Sequence, residues 1–327
     1  MDPLPIRIGD SGDAVRDLQQ RLTGAGIELH AGDPRGSYGP STAEAVRAFQ
    51  ASRRLPATGI CDQTTWTALV EAGYRPGDRL LYLRSPMLRG EDVAELQRAL
   101  GALGFDAGRV DGIFGPQTER AVLDFQHNVD LPADGKCGQA VLASLARLGR
   151  RAEHSTNVAG VRERERLRSR PPVLADLRVV LGEAGGLDVL VTAIDRVLVD
   201  AAALVAVTHH PHPSVQAVEA NDFGADVYLG FGLSDRTSCE VAYYATTGFE
   251  SAGGHRLAAL VVEAWRDLGE FDVDDPCGRA ITVLRETRMP AVVCQLGPPA
   301  TVVEHTAELA QAVLRALSAW VEGAAEA

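Results

Sequence analysis

Lysine is almost absent from this chain of 327 residues, with Lys136 as the single example. Acidic residues outnumber Lys and Arg by 44 to 32, which gives a net charge of -12. Nucleic acids and anionic membranes bind basic surfaces, so neither is expected as the main partner. No apolar run approaches the length of a membrane-spanning helix, which predicts no membrane insertion.

Cysteine is also scarce, and the chain begins without a basic or apolar leader. The five cysteines are scattered and form no CxxC pair, a pattern typical of reduced thiols in a protein core. Residues 1–8 contain no feature of a secretory signal. Together these observations predict a cytoplasmic protein.

An internal repeat occupies the first 148 residues. Residues 39–50 return as 115–126, and residues 15–22 return as 93–100, so the first copy has two extra residues in the loop 29–37. In each copy the apolar spacing and the Gly-Pro helix start predict three short helices.

The second copy contains a motif of the form D-G-x-F-G-P-x-T-x-x-A-V-x-x-F-Q, beginning at Asp111. This motif resembles the peptidoglycan-binding domain 1 family, whose ligand groove lies near this loop. The resemblance implies ligand contacts by Asp111, Gly112, Phe114 and Gly115, and by Arg35 and Tyr38 in the first copy. Because the first copy has Arg35 where the second has Asp111, we expect the second copy to bind muropeptide more tightly.

Residues 149–172 form a basic linker with seven Arg against three Glu. One interpretation is a solvated tether. The other is an arm that docks cell-wall synthesis proteins, with Ser155 and Thr156 available for phosphorylation.

From residue 177 onward, predicted strands and helices alternate, which indicates a mostly parallel sheet. The predicted strands are 178–181, 204–208, 227–231, 240–245, 281–284 and 291–296. The predicted helices are 188–202, 214–224, 251–268 and 302–321.

The last predicted strand lies in the apolar run from Met289 to Gly297, whose one polar residue is Gln295. This run resembles the final core strand of the zinc-dependent N-acetylmuramoyl-L-alanine amidases of the Amidase_3 type. In that family the position of Gln295 is a Glu that handles the proton of the attacking water. A glutamine amide cannot cycle a proton at neutral pH.

The same resemblance implies a zinc ion held by two His and one Glu. The corresponding positions here are degenerate: the first strand leads to Ala184 rather than a His, Asp188 is the nearest residue to the Glu, and Gly232 stands at the second His. We therefore expect no catalytic residues and no cofactor.

An alternative metal site uses other histidines. His209, His210 and His212 follow the second strand at its carboxyl end, where they could bind zinc. Otherwise Pro211 and Pro213 make this segment an exposed turn.

These patterns predict a multidomain chain with two small all-α modules of three helices each, at residues 1–75 and 76–148. A linker at 149–172 and an amidase-like α/β domain with a mostly parallel sheet at 173–327 follow. The preferred functional hypothesis is a non-catalytic homologue that recognises peptidoglycan fragments or precursors and regulates or scaffolds wall synthesis from the cytoplasm. The alternatives are an active zinc amidase with replacement ligands, and a protein-interaction platform without a glycan ligand.

Overall fold

The computed structural model describes residues 4–30, 32–149, 163, 167 and 173–322. The chain divides into two compact units, one of residues 1–161 with 246–249 and one of residues 162–245 with 250–327. Most of the basic linker, including Ser155 and Thr156, lies outside the described residues.

The first unit contains the two predicted helical modules. Its helices are α1 (Asp13–Gly24), α2 (Pro40–Ser52), α3 (Gln63–Ala72), α4 (Glu91–Ala102), α5 (Pro116–Asn128) and α6 (Gln139–Gly149). Both α2 and α5 begin at the proline of a Gly-Pro pair, where the missing N–H costs no intrahelical bond.

Each module has its own apolar core. Phe49 and Leu18 are buried in the first core, and Phe114 and Phe125 are buried in the second. An isolated β-bridge closes each module by pairing a residue before its first helix with a cysteine. The pairs are Ile6 with Cys61 and Leu81 with Cys137.

The second unit is an α/β domain. Its strands are β1 (Arg178–Glu183), β2 (Leu204–His209), β3 (Val227–Leu233), β4 (Ser238–Thr246), β5 (Phe249–Glu250), β6 (Asp272–Val273), β7 (Cys277–Arg279) and β8 (Ala291–Leu296). Its helices are α7 (Asp188–Asp200), α8 (Pro213–Phe223), α9 (Ala252–Arg266), α10 (Thr282–Glu286), α11 (Pro299–Glu304) and α12 (Thr306–Glu322), preceded by a 3-10 turn at Leu174–Asp176.

The sheet has the order β2-β1-β3-β8-β4-β5, with β6 and β7 also paired to β4. Strands β2, β1, β3 and β8 are parallel, and β4 is antiparallel to β8. This arrangement confirms the predicted fold class of helical modules followed by an α/β domain with a mostly parallel sheet. Helices α7, α9 and α12 pack their apolar faces onto the sheet in one continuous core.

Two predicted elements differ from the structure. Residues 281–284 were expected as a strand, but Thr282 begins the short helix α10, which packs against α8 and buries Val283 and Leu284. The expected closing helix 302–321 is divided at His305 into α11 and α12. A four-residue apolar run fits a buried strand or a buried helical turn equally well, so packing against neighbouring elements decides which of the two forms.

The five cysteines are free thiols, four of them buried and Cys277 partly buried. Burial raises the pKa of Cys61 and Cys137 to about 12, so both remain neutral core thiols at physiological pH. Within the described ranges, no helix is both long and apolar enough to cross a membrane.

Candidate functional site

The carboxyl ends of β1, β2, β3 and β8 meet at one edge of the sheet, where open α/β folds place their ligands. At this edge β1 ends at Glu183, and β2 ends at its register partner His209. On the other side of β1, Gly232 of β3 pairs with Gln295 of β8. The edge therefore has two separate polar groups, one on each side of β1.

The first group is a cluster of Glu183, Asp188 and His209, which we call the β1–β2 cluster. One ligand atom from each residue lies within 4.8 Å of the other two. His209 Nδ1 is 3.4 Å from Glu183 Oε2 and 3.6 Å from Asp188 Oδ1. The Glu183 side chain is 3% exposed, whereas His209 and Asp188 are 51% and 74% exposed.

Backbone donors fix the Glu183 carboxylate. Its Oε1 accepts hydrogen bonds from Gly185 N at 2.6 Å and Leu187 N at 3.0 Å, in the turn that leads into α7. These bonds compensate for the burial of a carboxylate. They also direct Oε2 toward His209, and Asp188 follows as the first residue of α7.

The side chain of Gln216, on α8, bridges the backbone at the carboxyl ends of β1 and β2 through hydrogen bonds. Its Nε2 donates to Glu183 O at 3.2 Å and to His210 O at 2.5 Å, and its Oε1 accepts from the Tyr228 hydroxyl at 2.5 Å. A Cβ atom at Gly182 would overlap the Tyr228 hydroxyl oxygen and lie 2.6 Å from Gln216 Oε1, so any other residue at this position would displace that hydrogen-bonded pair. The buried hydrogen bonds hold the backbones of Glu183 and His210 at a fixed separation.

The second group contains the positions that the family resemblance assigns to zinc and its base. Gly232 has no side chain, and the Gln295 amide covers it, because a Cβ atom at Gly232 would lie 2.8 Å from Gln295 Nε2. Ala184 is exposed in the turn after β1, and Asp188 belongs to the β1–β2 cluster.

Ion pairs lie beside Gln295 on β4. Glu240, the register partner of Gln295, accepts hydrogen bonds from Arg279 at 3.0 Å and from Arg236 at 3.1 Å. Burial alone would raise the pKa of Glu240, but the hydrogen bonds and charge of Arg279 outweigh it and lower the pKa. Glu240 is therefore an ionised partner of two arginines and cannot serve as a proton donor near neutral pH.

The remaining histidines of the proposed turn do not join the cluster. His210 Nδ1 accepts the backbone N–H of His212 at 3.0 Å, and the two rings lie 5.3 Å apart. The structure thus brings together His209, which the sequence offered with His210 and His212, and Glu183, which the sequence analysis did not single out. The signal for Glu183 was its position at the end of a strand, with only Ala184 between it and the Gly185-Gly186 turn.

In both helical modules, a buried glutamine binds the motif loop. Gln97 Nε2 donates to Asp111 Oδ1 at 2.8 Å, and Gln97 Oε1 accepts from Asp111 N and Gly112 N. Asp111 Oδ1 also accepts from Ile113 N at 2.8 Å. The Asp111 carboxylate therefore shapes its own loop.

The two aromatic residues proposed as ligand contacts lie inside their modules. Phe114 is fully buried, and Tyr38 is 2% exposed with its hydroxyl donating to Gly59 O at 2.7 Å. Contact between either ring and a ligand would require the loop to move. Gly112 is buried beneath the same loop and has a φ of 68°, which favours glycine, while Gly115 precedes α5.

Arg35 has a different position. It is exposed and lines a groove of about 370 Å³ between α1 and the loop before α2. Other residues of this groove include Arg16, Gln20, His30, Asp33 and Ser41. Among the described residues, none forms an ion pair with Arg35. Asp33 accepts hydrogen bonds from Gly39 N and Thr42 N.

Comparison with known proteins gives matches to both parts of the chain. Residues 11–69 and 89–145 match the peptidoglycan binding domain family PG_binding_1. The chain is 32% identical over 333 residues to the N-acetylmuramoyl-L-alanine amidase CwlM of Mycobacterium tuberculosis, covering 89% of this chain and 81% of the relative. It is 34% identical to the amidase CwlL of Bacillus licheniformis, covering 44% of this chain and 45% of that protein.

Among solved structures, the amidase AmiC2 of Nostoc punctiforme is similar over 45% of this chain and 97% of its own, with 17% identity and a TM-score of 0.39.

Proposed function

This chain belongs to the N-acetylmuramoyl-L-alanine amidase family, and we propose that it is a member that recognises peptidoglycan or its fragments without cleaving them. Two helical modules bind the wall polymer or its precursors. The α/β domain adds a recognition or docking surface instead of an active site. The protein then regulates or scaffolds cell-wall synthesis, and the proposed compartment is the cytoplasm.

The observation that carries this proposal is the position of the Gln295 amide, 2.8 Å from where a Cβ atom at Gly232 would lie. A catalytic zinc site needs three protein ligands and an open position for water. Gly232 offers no ligand atom, and the amide of Gln295 covers the space that a side chain at this position would enter. The residues at the family's zinc position therefore do not fit the ion.

The chemistry of position 295 supports the same conclusion. A general base must accept a proton from the attacking water and return it to the leaving group, which contributes roughly 10²–10⁴-fold to the rate. The Gln295 amide cannot do so. The carboxylate oxygens of its neighbour Glu240 already accept hydrogen bonds from Arg279 and Arg236, so they are not available to take the proton of a water.

The groove of the first module is proposed as a carboxylate-binding site, in addition to the second module, which is still expected to bind muropeptide more tightly. The peptide stems of peptidoglycan end in carboxylates, and an arginine is suited to bind a carboxylate through two parallel hydrogen bonds. Arg35 is exposed in this groove without a described ion-pair partner. Asp111 of the second module supports recognition by holding its loop.

One observation favours a second candidate, an active amidase with replacement ligands. The β1–β2 cluster has two carboxylates and an imidazole at a spacing compatible with a metal ion, and two of its three side chains are at least half exposed. A metal ion there would polarise a bound water or an amide carbonyl. The described residues offer no further unpaired carboxylate from β3 or β8 as the base.

The test measures binding and turnover on the same sample. Full-length protein is mixed with purified sacculi and sedimented, and the supernatant is assayed for free amino groups released from the lactyl-peptide amide. We expect sedimentation with the sacculi and no release, with or without added zinc. Release that a chelator abolishes would overturn the proposal in favour of the second candidate. Failure to bind sacculi or soluble muropeptides would favour the platform without a glycan ligand.

A matched pair of variants sharpens the result. Gln295→Glu restores the family carboxylate alone, and Gly232→His with Gln295→Glu restores a ligand as well. We expect neither to cleave muropeptide, because Ala184 still supplies no ligand at the end of β1. Turnover by the single variant would show that a metal ion is already held close enough to use position 295.

A further inference from the structure

We propose that the β1–β2 cluster is a divalent-cation site, displaced by one strand from the position where the family holds zinc. Its ligands are Glu183 Oε2, Asp188 Oδ1 and His209 Nδ1. The most suitable occupant is Zn²⁺ or an ion of similar preference, since imidazole and carboxylate are both ligands of zinc in proteins.

The register of the sheet supports this site. Glu183 and His209 are the last residues of neighbouring parallel strands and are directly paired, so their side chains leave the sheet at the same height. Asp188, the first residue of α7, reaches the same point after a short turn. The three ligands thus come from β1, α7 and β2, which follow one another along the chain.

The distances fit a tetrahedral ion. Ligand atoms bound to zinc at about 2.0–2.2 Å lie about 3.3–3.6 Å from one another in a tetrahedron. In the cluster, His209 Nδ1 lies 3.4 Å from Glu183 Oε2 and 3.6 Å from Asp188 Oδ1, and all three ligand atoms lie within 4.8 Å of one another. A cation between these atoms would need only small side-chain adjustments, and the fourth position faces solvent on the side of the exposed His209 and Asp188 side chains.

The burial of Glu183 is a second, independent observation. Its side chain is 3% exposed, one oxygen is satisfied by two backbone N–H groups, and the other points into the cluster. Among the contacts of the described residues, Oε2 meets only His209 Nδ1, at 3.4 Å. A buried carboxylate oxygen normally has a close donor or a cation, and here the imidazole contact is long for a hydrogen bond.

Gln216 supports the ligands as an outer layer. It binds the carbonyl oxygens of Glu183 and His210 while its own oxygen is fixed by Tyr228. Such partners hold metal ligands in position before the ion arrives. This cation would tie the carboxyl ends of β1 and β2 to the start of α7.

The site differs from the family's zinc position in two of its three ligands. Glu183 and His209 replace the histidines that the resemblance expects at Ala184 and Gly232, and only Asp188 is shared. Strand β8 with Gln295 lies two strands away from β1, about 10 Å at the usual strand spacing. A cation here is therefore compatible with the absence of catalysis.

The experiment is titration of chelator-treated full-length protein with Zn²⁺ by calorimetry, followed by metal analysis after dialysis. We expect one equivalent to bind to the wild type. His209→Ala should weaken binding at least tenfold, whereas His212→Ala, an exposed neighbour outside the cluster, should leave it unchanged. Asp188→Asn provides a second ligand variant that should not disturb folding, since its side chain is 74% exposed.

Co²⁺ supplies a readout of geometry. We expect the intense visible absorption of tetrahedral Co²⁺ in the wild type and its loss in His209→Ala. Failure of Zn²⁺ to bind, or binding that depends on His212 and not on His209, would overturn the proposal. Sacculus binding and cleavage are measured in a separate assay from Zn²⁺ binding, so this inference and the proposed function can fail separately.

Discussion

The two helical modules are built from the same sequence pattern but use the loop before their second helix differently. In the second module Asp111 turns inward and accepts hydrogen bonds from Gln97 and Ile113. In the first module the corresponding residue, Arg35, lines an open groove, and the carboxylate of Asp33 binds the start of α2 instead. The negative charge of Asp111 therefore stabilises its own loop in the second module, whereas the positive charge of Arg35 is presented to the groove of the first.

This difference separates the motif residues that form the fold from those that can meet a ligand. Gln19 and Gln97 occupy equivalent positions, and both bind their loop through buried amides. Gln50 and Gln126 do the same for the next loop, accepting from Gly59 N and Gly135 N. A family motif of this kind therefore predicts the fold securely, while ligand preference depends on the exposed residues around it.

The largest expected effect comes from removing the loop-binding glutamine. Gln97→Ala should lower the free energy of unfolding of the second module by about 2–4 kcal/mol, because several buried polar groups lose their partner. Gln19→Ala should cost less, since Gln19 binds fewer loop groups. Hydrogen-exchange mass spectrometry under increasing urea would assign each loss to its module. A greater cost for Gln19→Ala would contradict the comparison.

Asp111→Ala should be the next largest effect, destabilising the second module by about 1–3 kcal/mol, because Ile113 N and Gln97 Nε2 lose an acceptor. Asp33→Ala should cost about 1 kcal/mol in the first module, the typical value for a lost helix cap. The same exchange experiment measures both. If Asp111→Ala left stability unchanged but reduced muropeptide affinity, Asp111 would be a ligand contact as first expected from the motif.

Arg35→Gln should leave stability unchanged and weaken binding of a muropeptide with free stem carboxylates roughly tenfold, equivalent to about 1.4 kcal/mol. Calorimetry on the full chain would measure it, with the amidated stem as the second ligand. Arg120→Gln is the control, since Arg120 is exposed on α5 of the second module. Equal losses for the two variants would reduce the role of Arg35 to general charge.

The smallest effect is a pH dependence specific to the first module. Burial would raise the pKa of Asp33, but the hydrogen bonds from Thr42 and Gly39 outweigh it and hold the pKa below its usual value. Its contribution to stability is therefore present above the unfolded-state pKa of about 3.9 and is lost as the pH falls through the folded-state pKa. Compared with Asp33→Asn, the wild type should lose hydrogen-exchange protection at α2 more steeply below about pH 4. Identical pH profiles would show that the carboxylate charge makes no contribution.

Much of the fold was predictable because its signals are local. The six helices of the modules follow from apolar spacing and Gly-Pro starts, and the parallel strands follow from short apolar runs between breakers. The special role of position 295 was also predictable from the sequence, since its polar side chain interrupts an apolar strand. Residues 281–284 were not, because a short apolar run does not distinguish a buried strand from a helical turn.

The amino-acid sequence by itself determined the repeat, the order of elements and the identity of Gly232 and Gln295 at the positions that the family resemblance assigns to a zinc ligand and to the base. Only the tertiary structure decided which remaining groups meet. Glu183 and His209 are 26 residues apart and become neighbours through strand register, while Phe114 and Tyr38 turn inward through packing against their own modules. Register and packing depend on contacts between distant segments, and no local pattern of residues specifies them.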